Sequence, residues 1–502
     1  MNRDMEPGFS HTTPEEQGVS SQAILDFVEE IEEKKLEMHG LMILRNKHCI
    51  AKGWWAPFHS EEPHIIFSVT KSFTATAVGL AVEEGLLSLN DTVISYFSDE
   101  ITEEIKENMR DMKIKDLLSM TTGHTQDTTR IDIHPGFLQD EIILKIGERA
   151  DGDWVRGFFE QPITESPGTF FLYNSGASHL LSVIVEKITN QSLLDYLQPR
   201  LFAPLGIETP LWEKSPKGET SGGWGMRLKT EDIAKLGQLF LDNGMWRGKQ
   251  VLSKEWVQKA TQKQTETVTH QSQQGITGKT DWEQGYGYQF WMCRHNCYRA
   301  DGALGQYSIV MPDANTVIAI NSGTDNMQDV LDAVWKHLLP AMKEAKLPKN
   351  EKLNEALQNK LSNLELGEKR GTAFEENGKV ELRNNEVKHY KLKDNPKEVT
   401  KISFALYGNQ SNVFSWVDSK GEYNIHFNID SWNTDNVLAG EKTAAKGTWI
   451  SENTLVLDLY QIQTPFRDKL IFTFTDNEVA VTRELVRVGE HTETYQGKYV
   501  NQ

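Results

Sequence analysis

SVTKSFTATAVGLAVEEGLLSL, residues 68–89, keeps apolar and small side chains on helical spacing as far as Gly85, where a glycine suits a helix stop. The run predicts a helix with Ser68 at its N-terminus. Its first residues, Ser68-Val69-Thr70-Lys71, form a Ser-x-x-Lys arrangement found once in the chain. Side chains three apart on a helix share a face, so the Lys71 amine can reach the Ser68 hydroxyl. The positive end of the helix dipole disfavours an ammonium there, and the free N–H of Ser68 can help hold an oxyanion. A neutral lysine beside a serine is a base beside a nucleophile. The competing reading is a capping serine followed by an exposed lysine, so the rest of the chain has to decide.

Upstream, HGLMILRNKHCIAKGWW (residues 39–55) sets two apolar runs around Arg45-Asn46-Lys47-His48, the pattern of a β-hairpin. Downstream, IKDLLSMTTG (114–123), SGASHLLSVIVEKI (175–188) and TEDIAKLGQLFLDNG (230–244) read as helices, the last with Thr230 as cap and Gly244 as stop. From Trp291 to Ser322 the pattern returns to strands, and MQDVLDAVWKHLLPAM (327–342) closes the unit with a helix. Strands at both ends of a helical middle indicate an α/β or α+β sandwich. A charged stretch, 343–371, reads as a linker or an exposed helix. Beyond residue 372, alternating runs such as Leu455, Leu457, Leu459 and Leu470, Phe472, Phe474 indicate a separate, mostly β unit. The expected division is 1–345, a linker over 346–371, and 372–502.

Bulk properties narrow the function. At 502 residues the chain exceeds what one core organises, which agrees with two domains. Its 53 Lys+Arg against 72 Asp+Glu leave a net charge of −19, which repels phosphate backbones and anionic lipid and argues against nucleic-acid and membrane partners. The opening MNRDMEPGFSHTTPEEQG lacks the apolar core of a secretory signal, and no run of about 18 apolar residues could span a bilayer. Three cysteines, Cys49, Cys293 and Cys297, do not make a disulfide framework. A cytoplasmic location is expected. No nucleotide loop, HExxH helix or calcium loop is visible, and Cys293, Cys297 and His295 fall short of a metal set, so neither cofactor nor metal is expected.

Two further patterns complete the Ser-x-x-Lys run. Tyr173-Asn174-Ser175 follows the turn signal Ser166-Pro167-Gly168 and directly precedes a helix, whereas the same spacing at Tyr96-Phe97-Ser98 lies in a loop-like stretch. Ala300-Asp301-Gly302 lies in YRADGALGQYSIVMP within the strand region. Together with EEGLLSLNDTV and IKDLLSMTTG, these patterns resemble the serine β-lactamases and penicillin-binding proteins over about residues 14–343. The tyrosine triplet and the spacing of Gly302, Gly305 and Gln306 are similar to the branch of class C β-lactamases, 6-aminohexanoate-dimer hydrolase and carboxylesterases.

The resemblance implies a β-lactamase/transpeptidase-like fold, an antiparallel sheet flanked by helices with an all-helical subdomain. It implies Ser68 as nucleophile, Lys71 and Tyr173 sharing the base and acid work, and Ser175 supporting them. The backbone N–H groups of Ser68 and Ala303 would form the oxyanion hole, with Asp301, Gly302 and Trp55 at the substrate. The family's strand triplet is Lys or His, Thr, Gly, and only Gly302 matches it. A backbone donor tolerates such replacement, but the family's capture of a substrate carboxylate loses its cation unless Arg299 supplies one. The expected activity is a serine hydrolase that forms an acyl-enzyme on Ser68 and cleaves a small ester or amide. The alternatives are a β-lactamase or D-amino-acid peptidase with penicillin-binding activity, and a non-catalytic binding or scaffold protein. Beyond the motifs, Trp54 could wall the site beside Trp55. Tyr286, Tyr288, Phe290 and Trp291 in GYGYQFW alternate as a strand does and read as packing, and His64 and His124 read as structural.

Overall fold

β1 (Met38–Arg45) is buried at all eight positions. Successive side chains of a strand point to opposite faces, so a strand sealed throughout is covered on both sides, and the continuous apolar run of HGLMIL has its cause there. The computed structural model describes residues 8–98, 101–134, 138, 141–268, 278–369, 387–395, 397–408, 411–438, 440–487 and 489–500. β1 sits in a six-stranded antiparallel sheet with β2 (His48–Trp54), β3 (Trp291–Cys293), β4 (Cys297–Gly302), β5 (Gln306–Met311) and β6 (Thr316–Ser322), in the order β3-β4-β5-β6-β1-β2. The two ends of the first unit thus share one sheet, as the strand pattern predicts.

The segment between β2 and β3 carries α2 (Thr70–Glu83), α3 (Ile114–Leu118), α4 (Ser175–Thr189) and α5 (Thr230–Leu241), while α1 (Ser21–Glu33) precedes β1 and α6 (Met327–Ala333) and α7 (Glu351–Ser362) follow β6. Every residue of α2 from Thr70 to Ala81 is buried, the mark of a helix with neighbours all round. α5 lies close against the sheet because Gly237 has no side chain: a β-carbon there would stand 2.5 Å from Ser308 Oγ.

Four local expectations need correction. α2 starts at Thr70, and Ser68 lies in a 3-10 turn, Phe67–Val69, that leads into it. Thr230 is the first residue of α5 rather than its cap; its Oγ1 accepts from Trp54 Nε1 and donates to Asn321 Oδ1. The helix expected over 327–342 ends at Ala333 and continues as a π turn and then a 3-10 turn at Leu339–Ala341, where Pro340 brings no N–H. The stretch before β3 is not a strand. Gln289 takes a positive φ of 61°; its side chain donates to Leu117 O and Leu118 O and accepts from Ser178 Oγ, and its backbone carbonyl accepts from Ser72 Oγ, so one residue staples α2, α3 and α4. Tyr286, Tyr288, Phe290 and Trp291 are all buried, as packing residues should be.

The described residues form two compact units, the first of residues 1–54, 63–132 and 144–363, the second of 55–62, 133–143 and 364–502. The charged stretch therefore holds α7, in the first unit. In the second unit ten strands follow, β7 (Val387–Leu392), β8 (Lys401–Ala405), β9 (Asn412–Asp418), β10 (Gly421–Ile429), β11 (Asn433–Leu438), β12 (Glu441–Ser451), β13 (Thr454–Gln461), β14 (Arg467–Phe474), β15 (Glu478–Arg487) and β16 (Gly489–Tyr499), in the order β10-β9-β8-β7-β16-β15-β14-β13-β12-β11. Parallel pairing of Asn428 with Lys446 and Ile429 with Gly447 joins β10 to β12 and closes the sheet into a barrel. Phe404, Phe414, Trp416, Phe472 and Phe474 fill its interior, as expected of a small closed barrel. Residues 364–369 are strapped to the barrel: Lys446 Nζ bonds Glu365 Oε1 at 2.9 Å and Leu366 O at 3.1 Å, Asp458 Oδ2 accepts from Glu368 N at 2.7 Å, and Lys469 pairs with Glu368 at 2.7 Å.

Candidate active site

Ser68 is held from three sides. The short strand His64–Ile65 pairs with Met226–Leu228, and Ile66 N donates to Met226 O at 2.9 Å. Phe67 then turns the chain at a φ of 43°, a strained value for a side-chain-bearing residue. Val69 N closes the turn on Ile66 O at 3.1 Å. The end of β4 lies against that same carbonyl: a β-carbon at Gly302 would collide with Ile66 O. This close approach explains why glycine stands at position 302.

Lys71 is buried, and its Nζ lies 2.9 Å from Ser68 Oγ, 3.0 Å from Ser175 Oγ and 2.7 Å from Gly223 O. Burial pushes its pKa down to about 7, against the opposing charges of Asp127 and Asp301. A free amine is therefore accessible near neutral pH, where an ordinary lysine is almost wholly protonated. A free amine has two N–H donors and one lone pair. Gly223 O and Ser175 Oγ can take the two donors, which leaves the lone pair to the Ser68 hydroxyl.

Tyr173 completes the group. Its ring centroid is 4.8 Å from Lys71 Nζ, and its hydroxyl is close enough to the Ser68 side chain to be influenced by it. Burial raises the phenol's pKa, with the nearby Ser68 side chain opposing, so it is protonated at neutral pH. The ring stacks on Trp291 at 5.4 Å, and Tyr286 stands edge-on to both. Ser175 opens α4, whose cap is Asn174: Asn174 Oδ1 accepts from Gly176 N and Thr128 Oγ1. Within the triplet, Tyr173 and Ser175 face the lysine and Asn174 is spent on the helix end.

On β4, Asp301 accepts from Arg299 Nε at 2.7 Å. Arg299 is fully buried and also donates to Asp281 O and Cys293 Sγ, so it does not take the place of the family's exposed cation. Ala303 is exposed and opens the turn to β5, where Leu304 and Gly305 have φ of 59° and 84°. Gln306, fully buried, satisfies that turn by donating to Ala303 O, Leu304 O and Ser322 O. The Gly-x-x-Gly-Gln spacing thus shapes the turn.

The other candidates lie elsewhere. Trp55 is 2% exposed and counted with the second unit. Trp54 is bonded to Thr230. Tyr96 donates to Asp91 Oδ2 at 2.7 Å. His64 bonds His39, itself bonded to Glu37, and His124 bonds Thr122 with its pKa lowered by burial to about 4. Sequence reasoning missed Gly223, which contributes only a backbone carbonyl, and Asp127. The doublet Gly222-Gly223 was a usable signal: a β-carbon at Gly222 would collide with Ser178 O and one at Gly223 would stand 3.0 Å from Ser175 O.

Among the described residues no group of three or more His, Cys, Asp or Glu could hold a metal ion, and no helix is long and apolar enough to cross a membrane. Residues 28–339 match the family model described as Beta-lactamase. Among curated proteins, 6-aminohexanoate-dimer hydrolase of Paenarthrobacter ureafaciens is 24% identical over 256 residues, covering 49% of this chain and 63% of that protein. Lovastatin esterase of Penicillium rubens is 28% identical over 173 residues, covering 32% and 42% respectively. The chain thus spans less than two thirds of the length of these two relatives. Among solved structures, the octameric penicillin-binding protein homologue from Pyrococcus abyssi has 15% identity and a TM-score of 0.47, covering 95% of this chain and 99% of its own.

Proposed function

The chain belongs to the beta-lactamase family, and from that premise we propose that it is a serine hydrolase that cleaves a small ester or amide through an acyl-enzyme on Ser68. The observation that carries this reading is the buried Lys71 amine, 2.9 Å from Ser68 Oγ and held by Ser175 Oγ and Gly223 O. Ser68 Oγ attacks the substrate carbonyl carbon while its proton passes to Lys71 Nζ. The oxyanion that forms is held by the backbone N–H groups of Ser68 and Ala303. Tyr173, protonated and beside Ser68, gives its proton to the leaving oxygen or nitrogen as the carbonyl–leaving group bond breaks, and the Lys71 ammonium hands the proton it took from Ser68 to the phenolate, which restores the free amine and the phenol. Water then attacks the acyl carbon and gives a proton to the free Lys71 amine; the acyl carbon–Ser68 Oγ bond breaks, and Lys71 returns that proton to Ser68 Oγ.

The relatives' names, a dimer hydrolase and an esterase, support ester or amide substrates. The partner is a small molecule, and the reading requires no cofactor. All three cysteines are free, which suits a reducing compartment, and the cytoplasm is the location this reading carries. The test is covalent: a fluorophosphonate should label Ser68 and nothing equivalent in Ser68→Ala, which should also lose at least about a thousandfold in p-nitrophenyl ester turnover. Full turnover by Ser68→Ala would sink the assignment.

A further inference from the structure

We infer that Glu37, His39 and His64 are positioning residues for the reaction, a buried hydrogen-bonded series that sets the places of the two amides, Ser68 N and Ala303 N, on which the oxyanion depends. The inference rests on the hydrolase reading above and adds what holds its oxyanion donors.

The three side chains are buried and bonded in line. His39, on β1, has its Nε2 3.1 Å from Glu37 Oε1 and its Nδ1 3.0 Å from His64 Nε2, and His64 Nδ1 lies 2.8 Å from Ile65 O. A carbonyl oxygen only accepts, so His64 Nδ1 carries the proton of that last bond. Three hydrogen bonds need three protons, and two neutral imidazoles bring two. The group therefore holds one proton more, which offsets the charge of the Glu37 carboxylate and keeps every bond of the series made. Such a series acts as a unit, because removing one member leaves the next with a buried polar atom unsatisfied.

One end of the series fixes the approach to the nucleophile. The peptide joining Ile65 to Ile66 is bonded through both its polar atoms: its oxygen accepts from His64 Nδ1, and its N–H donates to Met226 O at 2.9 Å. The next carbonyl, Ile66 O, accepts from Val69 N and closes the turn that carries Ser68. The other end fixes the second donor. Glu37 O accepts from Ser322 Oγ at 2.7 Å and from Gly323 N at 2.8 Å. Ser322 O accepts from Gln306 Nε2, the same group that donates to Ala303 O and Leu304 O. Gly323 lets the segments close up, since a β-carbon there would stand 2.7 Å from Glu37 Oε1 and 3.0 Å from His39 Nε2. Two stretches distant in the chain, 64–68 and 303–306, are thus referred to Glu37 and His39. A donor displaced by about 1 Å costs on the order of a hundredfold in rate, and the loss falls on the transition state rather than on substrate binding.

The test uses what asparagine shares with histidine. The amide nitrogen of His64→Asn can still donate to Ile65 O from about the place of Nδ1, whereas His64→Phe fills the space and donates nothing. On a neutral p-nitrophenyl ester, His64→Phe should lose about a hundredfold in kcat with KM within about twofold, and His64→Asn should recover about tenfold of that loss. A role in packing alone predicts the reverse order, because phenylalanine suits a buried site better than an amide does. Wild-type kcat in a folded His64→Phe protein, or a His64→Phe protein at least as active as His64→Asn, overturns the inference. Nitrogen-15 NMR of the histidine rings provides a readout on the unaltered protein: His64 should be protonated at Nδ1, and that signal should move when a fluorophosphonate on Ser68 places an oxygen between the two amides. A His64 ring bare at Nδ1, or a signal that the adduct leaves in place, also overturns it. Labelling of Ser68 at the wild-type rate in His64→Phe removes the positioning role and leaves the nucleophile standing. Absence of labelling in the unaltered protein removes the hydrolase reading, and the inference with it.

Discussion

At the scale of single residues, the chemistry depends on how one amine is kept neutral. Burial lowers the Lys71 pKa to about 7 while Asp127 and Asp301 push it back up. Only the free amine can accept the Ser68 proton, so acylation should rise with pH up to a midpoint near 7 and fall about tenfold per unit below it. Asp127→Asn removes a charge that favours the ammonium form. It should therefore move this limb to lower pH, which a kcat/KM profile on a neutral ester would read; a limb unmoved or moved to higher pH would mean that Asp127 does not act on the lysine. Ser68, Lys71, Tyr173 and Ser175 were legible in the sequence because helix geometry and a motif tie side-chain identity to place. Gly223 was marked only by the Gly222-Gly223 doublet, since the carbonyl it contributes is a group every residue owns. Asp127 was not legible, because its loop shows no periodicity and its effect is felt only in space.

At the scale of elements, the site exists because β4 reaches the turn that carries Ser68. Gly302 permits that approach, and any β-carbon there meets a backbone carbonyl, which cannot rotate aside. Gly302→Ala should thus push β4 from Ile66 at about 1–3 kcal/mol of strain. It should also displace the Ala303 amide, with a loss of about a hundredfold in kcat against a small change in thermal midpoint. Wild-type kcat in this variant would show that the two segments are not coupled. The glycine was readable as a motif residue, but its reason was not, because Ile66 is far from it along the chain. The strands β4, β5 and β6 and the helices α2, α4 and α5 lie where the sequence pattern puts them, with the first turns of α2 and α5 shifted because capping depends on backbone geometry that the pattern does not carry. The 285–291 stretch was misread because four buried aromatics mimic alternation, while the actual conformation follows from Gln289 bonding three helices at once. That bonding is tertiary, and no local pattern encodes it.

At the scale of the whole molecule, the two units are interleaved along the chain. The sequence suggests a linker over 346–371 and a change of texture beyond 372, whereas the division of the chain falls after residue 363 and the first described strand of the barrel begins at Val387. What composition could not reveal is that 55–62 and 133–143 belong with the barrel residues, because short irregular segments carry no pattern that names their partner. Phe58 packs with Ala444, Tyr460 and Ile462, and Leu138 lies in the barrel's core cluster. A chain ending at residue 363 would leave both side chains without that cover, each worth about 1.5–3 kcal/mol of burial. The segment 55–62 also ends six residues before Ser68, so disorder there would loosen the strand that leads into the nucleophile's turn. Such a truncated protein should melt at lower temperature than the full chain, bind a hydrophobic dye, and label at Ser68 more slowly. Phe58→Ala in the full chain should reproduce part of the labelling defect while the barrel stays folded. Equal melting and equal labelling of the 1–363 chain would show that the beta-lactamase unit needs nothing from the residues that follow it.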